Sequence, residues 1–116
     1  MYAYEIPNLR FSMPAGGAVL RNRFVAIASE KAITANASAV VIGASMNEVT
    51  DKDFAAGERV VEIADGIVMV EAAGAITSGA KVYSNASGQA TATGTEVVGV
   101  AITAATGAGQ LVAVKL

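Results

Sequence analysis

The chain has 116 residues, of which 53% are hydrophobic, 5% aromatic and 16% charged, and its formal net charge is −2. It contains neither cysteine nor histidine. That excludes a disulfide framework and thiolate chemistry, and it removes the commonest general base and metal ligand. No basic run offers the footprint of sequence-unspecific nucleic-acid binding, and no apolar stretch approaches the roughly 18 residues of a membrane span.

This length suits one compact domain. So few charges leave a surface of Ala, Ser, Thr and Gly, which costs little to desolvate against another protein. The first ten residues lack the basic start and apolar core of a signal peptide, so synthesis in the cytosol is expected.

Residues 1–8 read as an N-terminal arm, with Tyr2, Tyr4 and Ile6 alternating and Pro7 expected to stop regular pairing. Two readings stay open: an edge strand on its own domain, or an arm that reaches a neighbouring subunit through its aromatics. The remainder, residues 9–116, reads as a single β domain.

Leu9, Phe11 and Met13 alternate with polar residues as a half-buried strand, ended by Pro14 and a turn at Gly16-Gly17. A strand over residues 24–28, a hairpin turn at Ser29-Glu30-Lys31 and a short returning strand follow. Residues 40–43, Val-Val-Ile-Gly, form a continuous apolar run that predicts a strand buried on both faces. Thr50 or Asp51 is placed to cap a short helical turn through Asp53 to Ala56, closed by Gly57; a second weak helical signal is the Ala-rich stretch 100–106. Residues 59–63 alternate as a strand, and Ala64-Asp65-Gly66 predicts a tight turn. The second half then offers strands over residues 66–70, 81–84, 89–93, 96–102 and 110–116, separated by Gly-rich turns.

Many short strands with turns every 8–12 residues predict an all-β barrel or sandwich. The chain also looks written twice. Setting Gly17 over Gly74, an offset of 57, brings Phe11 over Val68, Met13 over Val70, Val19 over Ile76 and Val25 over Val82. Ala28 to Ala32 falls over Ala86 to Ala90, and Val41-Ile42-Gly43-Ala44 over Val97-Val98-Gly99-Val100. The expected repeat spans residues 9–63 and 66–116.

Candidate chemistry is sparse. Asp51 and Asp53 with Glu48 and Glu58 form the densest acidic cluster, but a Ca²⁺ loop needs about six to eight oxygen ligands at set spacing, and Lys52 sits inside. Glu62 with Asp65, or Glu71 with Glu96, are carboxylate pairs that nothing in the sequence brings together. Lys31, Lys81 and Lys115 lie at turns or strand ends, where solvation is the default, so a Ser-Lys dyad is not supported. Gly16-Gly17 and Gly107-Ala108-Gly109 open no helix and lack the Gly-Lys-Ser/Thr ending of a phosphate loop. No catalytic residue, metal site or cofactor is expected.

From residue 66 onward the order of motifs resembles the capsid cement, or head decoration, proteins of tailed bacteriophages. The features are a Gly-initiated strand (residues 66–70), Gly-x-x-Val-Tyr (79–83), Ser-Gly-Gln-Ala-Thr (87–91), Val-Val-Gly-Val-Ala (97–101) and a final Val-x-Val-x-Leu (112–116). The resemblance implies a small β-barrel or β-tulip-like domain that acts as a homotrimer. It implies binding outside the mature head, against the major capsid protein, with no catalytic residues, nucleic acid, membrane or small-molecule substrate. Such a protein is made in the host bacterial cytoplasm and ends on the outer capsid surface. The expected contact residues are Tyr2, Tyr4, Ile6, Leu9 and Phe11, because aromatic anchors suit interface hot spots. The competing reading is a carbohydrate- or receptor-binding β-module, with Tyr83 and Phe54 as its available aromatics.

Overall fold

The structure is a computed structural model that describes residues 6–116, with side chains from Leu9 onward. Nine strands and one five-residue helix form the described chain. The strands are β1 (Ile6–Pro14), β2 (Phe24–Ala28), β3 (Lys31–Thr34), β4 (Gly43–Ser45), β5 (Val60–Glu71), β6 (Lys81–Ser84), β7 (Ala90–Thr91), β8 (Val97–Ala101) and β9 (Leu111–Lys115), and α1 (Asp51–Ala55) lies between β4 and β5. The ladders are antiparallel and join one sheet in the order β3-β2-β4-β5-β9-β8-β6-β7, with β1 on the other side of β5. The all-β class is as expected.

β5 departs most from the expectation. The sequence predicts two strands parted by an Asp-Gly turn, yet residues 60–71 form one strand of 12 residues. Asp65 Oδ1 accepts the Gly66 N–H at 2.8 Å, and Gly66 sits at φ 111. The pair therefore makes an irregularity within the strand and not a reversal. Opposite it, the β1 register shifts between Pro7 and Leu9, a bulge of the kind that re-aims a strand without ending it. Pro7 thus does not stop the pairing: Ile6 faces Ile67 and Pro7 faces Gly66. Neighbours on both sides hold β5 straight through the Asp-Gly step, β1 on one and β4 and β9 on the other.

The run at residues 40–43 is the second departure. Val40 is 83% exposed, and the strand begins only at Gly43. A Cβ at Gly43 would collide with the Ala64 carbonyl and the Ile63 side chain, so glycine is what lets β4 approach β5. Val41 and Ile42 pack against separate clusters, which leaves Val40 pointing outward. The helix forms as its capping residues predict, with Thr50 Oγ1 accepting from Asp53 N at 3.0 Å and Asp53 Oδ2 accepting from Thr50 N at 3.1 Å. Residues 102–106, by contrast, are bends and an isolated bridge without helix.

Strand pairings in the second half repeat those in the first. Phe24↔Ala44 and Val25↔Gly43 have counterparts in Lys81↔Val100 and Val82↔Gly99, at offsets of 57 and 56. Ala44↔Ala64 and Ser45↔Ile63 match Val100↔Lys115 and Ala101↔Val114. Met13↔Val61 and Phe11↔Ile63 match Val70↔Val112 and Val68↔Val114. Even the isolated bridges agree: parallel Ala15↔Ala32 with Ala72↔Ala90, and antiparallel Val19↔Val49 with Ile76↔Ala105. The smaller core cluster (Ala15, Val19, Val25, Ala32, Val49, Val61, Ile63, with Phe11, Met13 and Ile42 against it) has its counterpart, residue for residue, inside the larger one.

The close approach repeats as well. A Cβ at Gly99 would collide with the Lys115 carbonyl, the counterpart of Ala64, and with the Val114 side chain. We expect Gly43→Ala and Gly99→Ala each to lower unfolding free energy by about 1–3 kcal/mol, the range for overpacked interiors. Gly17→Ala and Gly74→Ala, where nothing lies within 4 Å, should stay close to wild type in urea titrations.

Candidate functional site

The expected contact residues are only partly brought together. Tyr2 and Tyr4 lie outside the described residues. Ile6 opens β1 opposite Ile67. Leu9 is 56% exposed opposite Asp65. Phe11 is half-buried against the smaller cluster, so part of its area is already spent on the domain core.

The polar groups are dispersed. Ser12 Oγ donates to Glu62 Oε1 at 2.9 Å, Asp65 serves its own backbone, and Glu71 is held by Arg23 and Gln89. Among the described residues no group of three acidic side chains lies close enough to hold a metal ion. Asp53 has its carboxyl below the usual 3.8, first because of the Thr50 backbone N–H and then the Thr50 hydroxyl. That is a cap at work and needs no ligand.

One polar cluster is not foreshadowed by local sequence. Arg23, where β2 begins, reaches across to the second half. Its Nη2 bonds Glu71 Oε2 at 3.0 Å and its Nη1 donates to the Ser87 carbonyl at 3.2 Å. Gln89 Nε2 donates to Glu71 Oε1 at 3.3 Å, Glu71 N–H donates to Asn22 O and Phe24 N–H to Gly88 O. The partners lie 48 and 64 residues from Arg23, beyond the reach of any spacing rule. This junction stitches the halves beside β5.

Three surfaces remain as candidates for binding. A cleft of about 310 Å³ is lined by Pro14, Ala15, Lys31, Phe54 and residues 57–59. Val40 lines two further clefts, about 240 Å³ toward residues 96–98 and about 420 Å³ toward Ile27, Ile33 and Ile42. The third surface is a cross-strand row, Lys81–Val100–Lys115 on β6, β8 and β9. Both lysines are exposed, and Val100 is 41% exposed. The matching first-half row, Phe24–Ala44–Ala64, is buried.

This is an all-β fold in which, among the described residues, the carboxylates are dispersed and gather no metal-binding group. Residues 5–116 match the family described as phage cement protein. The chain belongs to that family, and with it to the capsid-associated structural proteins of bacteriophages. No curated protein matches the chain. Among solved structures it is similar to the head fiber gp8.5 N base of bacteriophage phi29, with a TM-score of 0.76 at 20% identity over 93% of this chain and 94% of that one. At that identity the likeness establishes the fold.

The Arg23 junction gives a test of its own. The Arg23 and Glu71 side chains are 13% and 30% exposed, so truncating Arg23 strands a part-buried carboxylate. Arg23→Ala should cost about 1–3 kcal/mol, whereas Arg21→Ala, at an exposed position, should cost less than about 0.5. Denaturant titration of both variants checks the difference.

Proposed function

We propose that this protein is a structural component of the virion that binds the outside of the mature phage head as a trimer. It cements neighbouring major capsid protein subunits against the pressure of packaged DNA, and it has no catalytic role. The observation that carries this reading is the match of residues 5–116 to the phage cement family.

The physical properties fit. With 16% charged residues, the surface gives up few hydrated ions on docking. Three linked copies on adjacent capsid subunits convert later contacts into intramolecular ones, so weak contacts add to high avidity. Binding to sites present only on the expanded shell stabilises that shell by linkage. The arm and the start of β1 (Tyr2, Tyr4, Ile6, Leu9, Phe11) are the proposed capsid or subunit contact. Leu9 is the member whose side chain is seen exposed.

A second reading has one observation in its favour. Phe54 is 41% exposed on the cleft that also holds Lys31, Glu58 and Arg59, an aromatic beside polar groups as in carbohydrate- or receptor-binding β-modules. Glycan binding lost on Phe54→Ala, without head binding, would favour it.

Mixing the purified protein with undecorated expanded heads and sedimenting them tests the main reading. Saturable co-sedimentation in multiples of three, with a raised head melting temperature, is expected; free protein left in the supernatant contradicts it. Deleting residues 2–8 should weaken head binding by about tenfold or more, as loss of anchor residues does at interfaces. Unchanged binding would make the arm structural only.

A further inference from the structure

We propose that copies of this chain associate head to tail: the Lys81–Val100–Lys115 face of one copy receives the β2–β3 hairpin tip, Ser29-Glu30, of the next. The inference rests on the self-association in the reading above and assigns its surfaces.

The chain already contains one such contact. In the first half, the row Phe24–Ala44–Ala64 is buried in the larger cluster, beneath the second half. The β6–β7 hairpin tip closes its end. Gly88 O accepts the Phe24 N–H at 2.8 Å, and a Cβ on Gly88 would press on Thr34, on the Phe24 carbonyl and on Arg23. Tip and receiving strand are thus in direct contact.

Each partner in that contact has a counterpart left bare. Receiving Phe24 corresponds to Lys81 at an offset of 57, and the row Phe24–Ala44–Ala64 to Lys81–Val100–Lys115. The tip residue Gly88 corresponds to Glu30 at an offset of 58, the offset that relates Ala32 to Ala90. Both take positive φ, 73° and 64°. Gly88 is buried, whereas Glu30 and Lys81 are exposed.

Charge then selects the occupant. Where the internal contact pairs glycine with phenylalanine, the bare surfaces carry a carboxylate and an ammonium. Arg23, which crowds the internal tip, is replaced by Ala80, and that leaves room for the Glu30 side chain. Residues 66–116 hold only two cations, Lys81 and Lys115, and the register sets both in this one row, with Val100 between them. The surfaces differ, so the contact is heterologous and closes into a ring when the rotation per copy allows. The backbone continuity of β5 through Asp65-Gly66 has no equivalent between chains, so the contact repeats the hairpin docking and not the shared strand.

The test uses the full chain without heads, by sedimentation velocity over a concentration series. Wild type should self-associate, and added salt should weaken it. Glu30→Lys and Lys81→Glu should each weaken association by about tenfold or more, since each sets like charges together. The double variant restores the opposite pair and should recover most of the loss. Both positions are exposed and outside the core clusters, and unchanged thermal melting of the dissociated variants verifies the fold. Self-association indifferent to either single change overturns the assignment, as does a double variant no better than the weaker single. A wild type that stays monomeric yet sediments with heads also overturns it, while leaving capsid binding standing.

Discussion

The fold depends on β5 running unbroken from Val60 to Glu71. Its first part closes the first half of the domain against β1 and β4, and its second part opens the second half against β9. Two small β units of about 55 residues would each be marginal alone, since a domain of this size buries only about 60% of its unfolded surface. Sharing a strand lets the sheet pass from one half to the other with no edge at the join. The Arg23–Glu71 junction and the Gly88–Phe24 contact join the two halves beside it.

Matching pairings make the differences between the halves informative. Residues 9–65 carry 13 charged side chains and residues 66–116 carry four, of which Glu71 is engaged by Arg23. Exposed valines and isoleucine on β8 and just after it (Val97, Val100, Ile102) add to the neutral character of the second half. This is the half that loses least on desolvation. The first half has the extra helix and its cleft, from five residues more between Val49 and Val60 than between their counterparts Ala105 and Leu111.

Much of this was legible in the sequence because it is written in local terms. β2 and β6 coincide with their expected bounds, and Thr50, one of the two expected caps, opens α1. Alternation at Leu9, Phe11 and Met13 marked β1. Where reading failed, tertiary contacts outweighed a local signal. Asp65-Gly66 has hairpin chemistry, but flanking strands hold it extended. Val40 belongs to an apolar run, yet Gly43 alone permits the approach to Ala64, so the strand starts three residues later than expected. The junction at Arg23 was invisible because its partners lie far along the chain. The proposed contact residues rest only on an aromatic-rich start, and the matched rows on the two halves emerge from register.

Electron cryomicroscopy of mature heads saturated with the protein tests the cementing role most directly. Cementing predicts density for the domain on the outer shell at threefold or quasi-threefold positions, each copy touching more than one major capsid subunit. Density confined to a single subunit, or found only away from the shell, would contradict it.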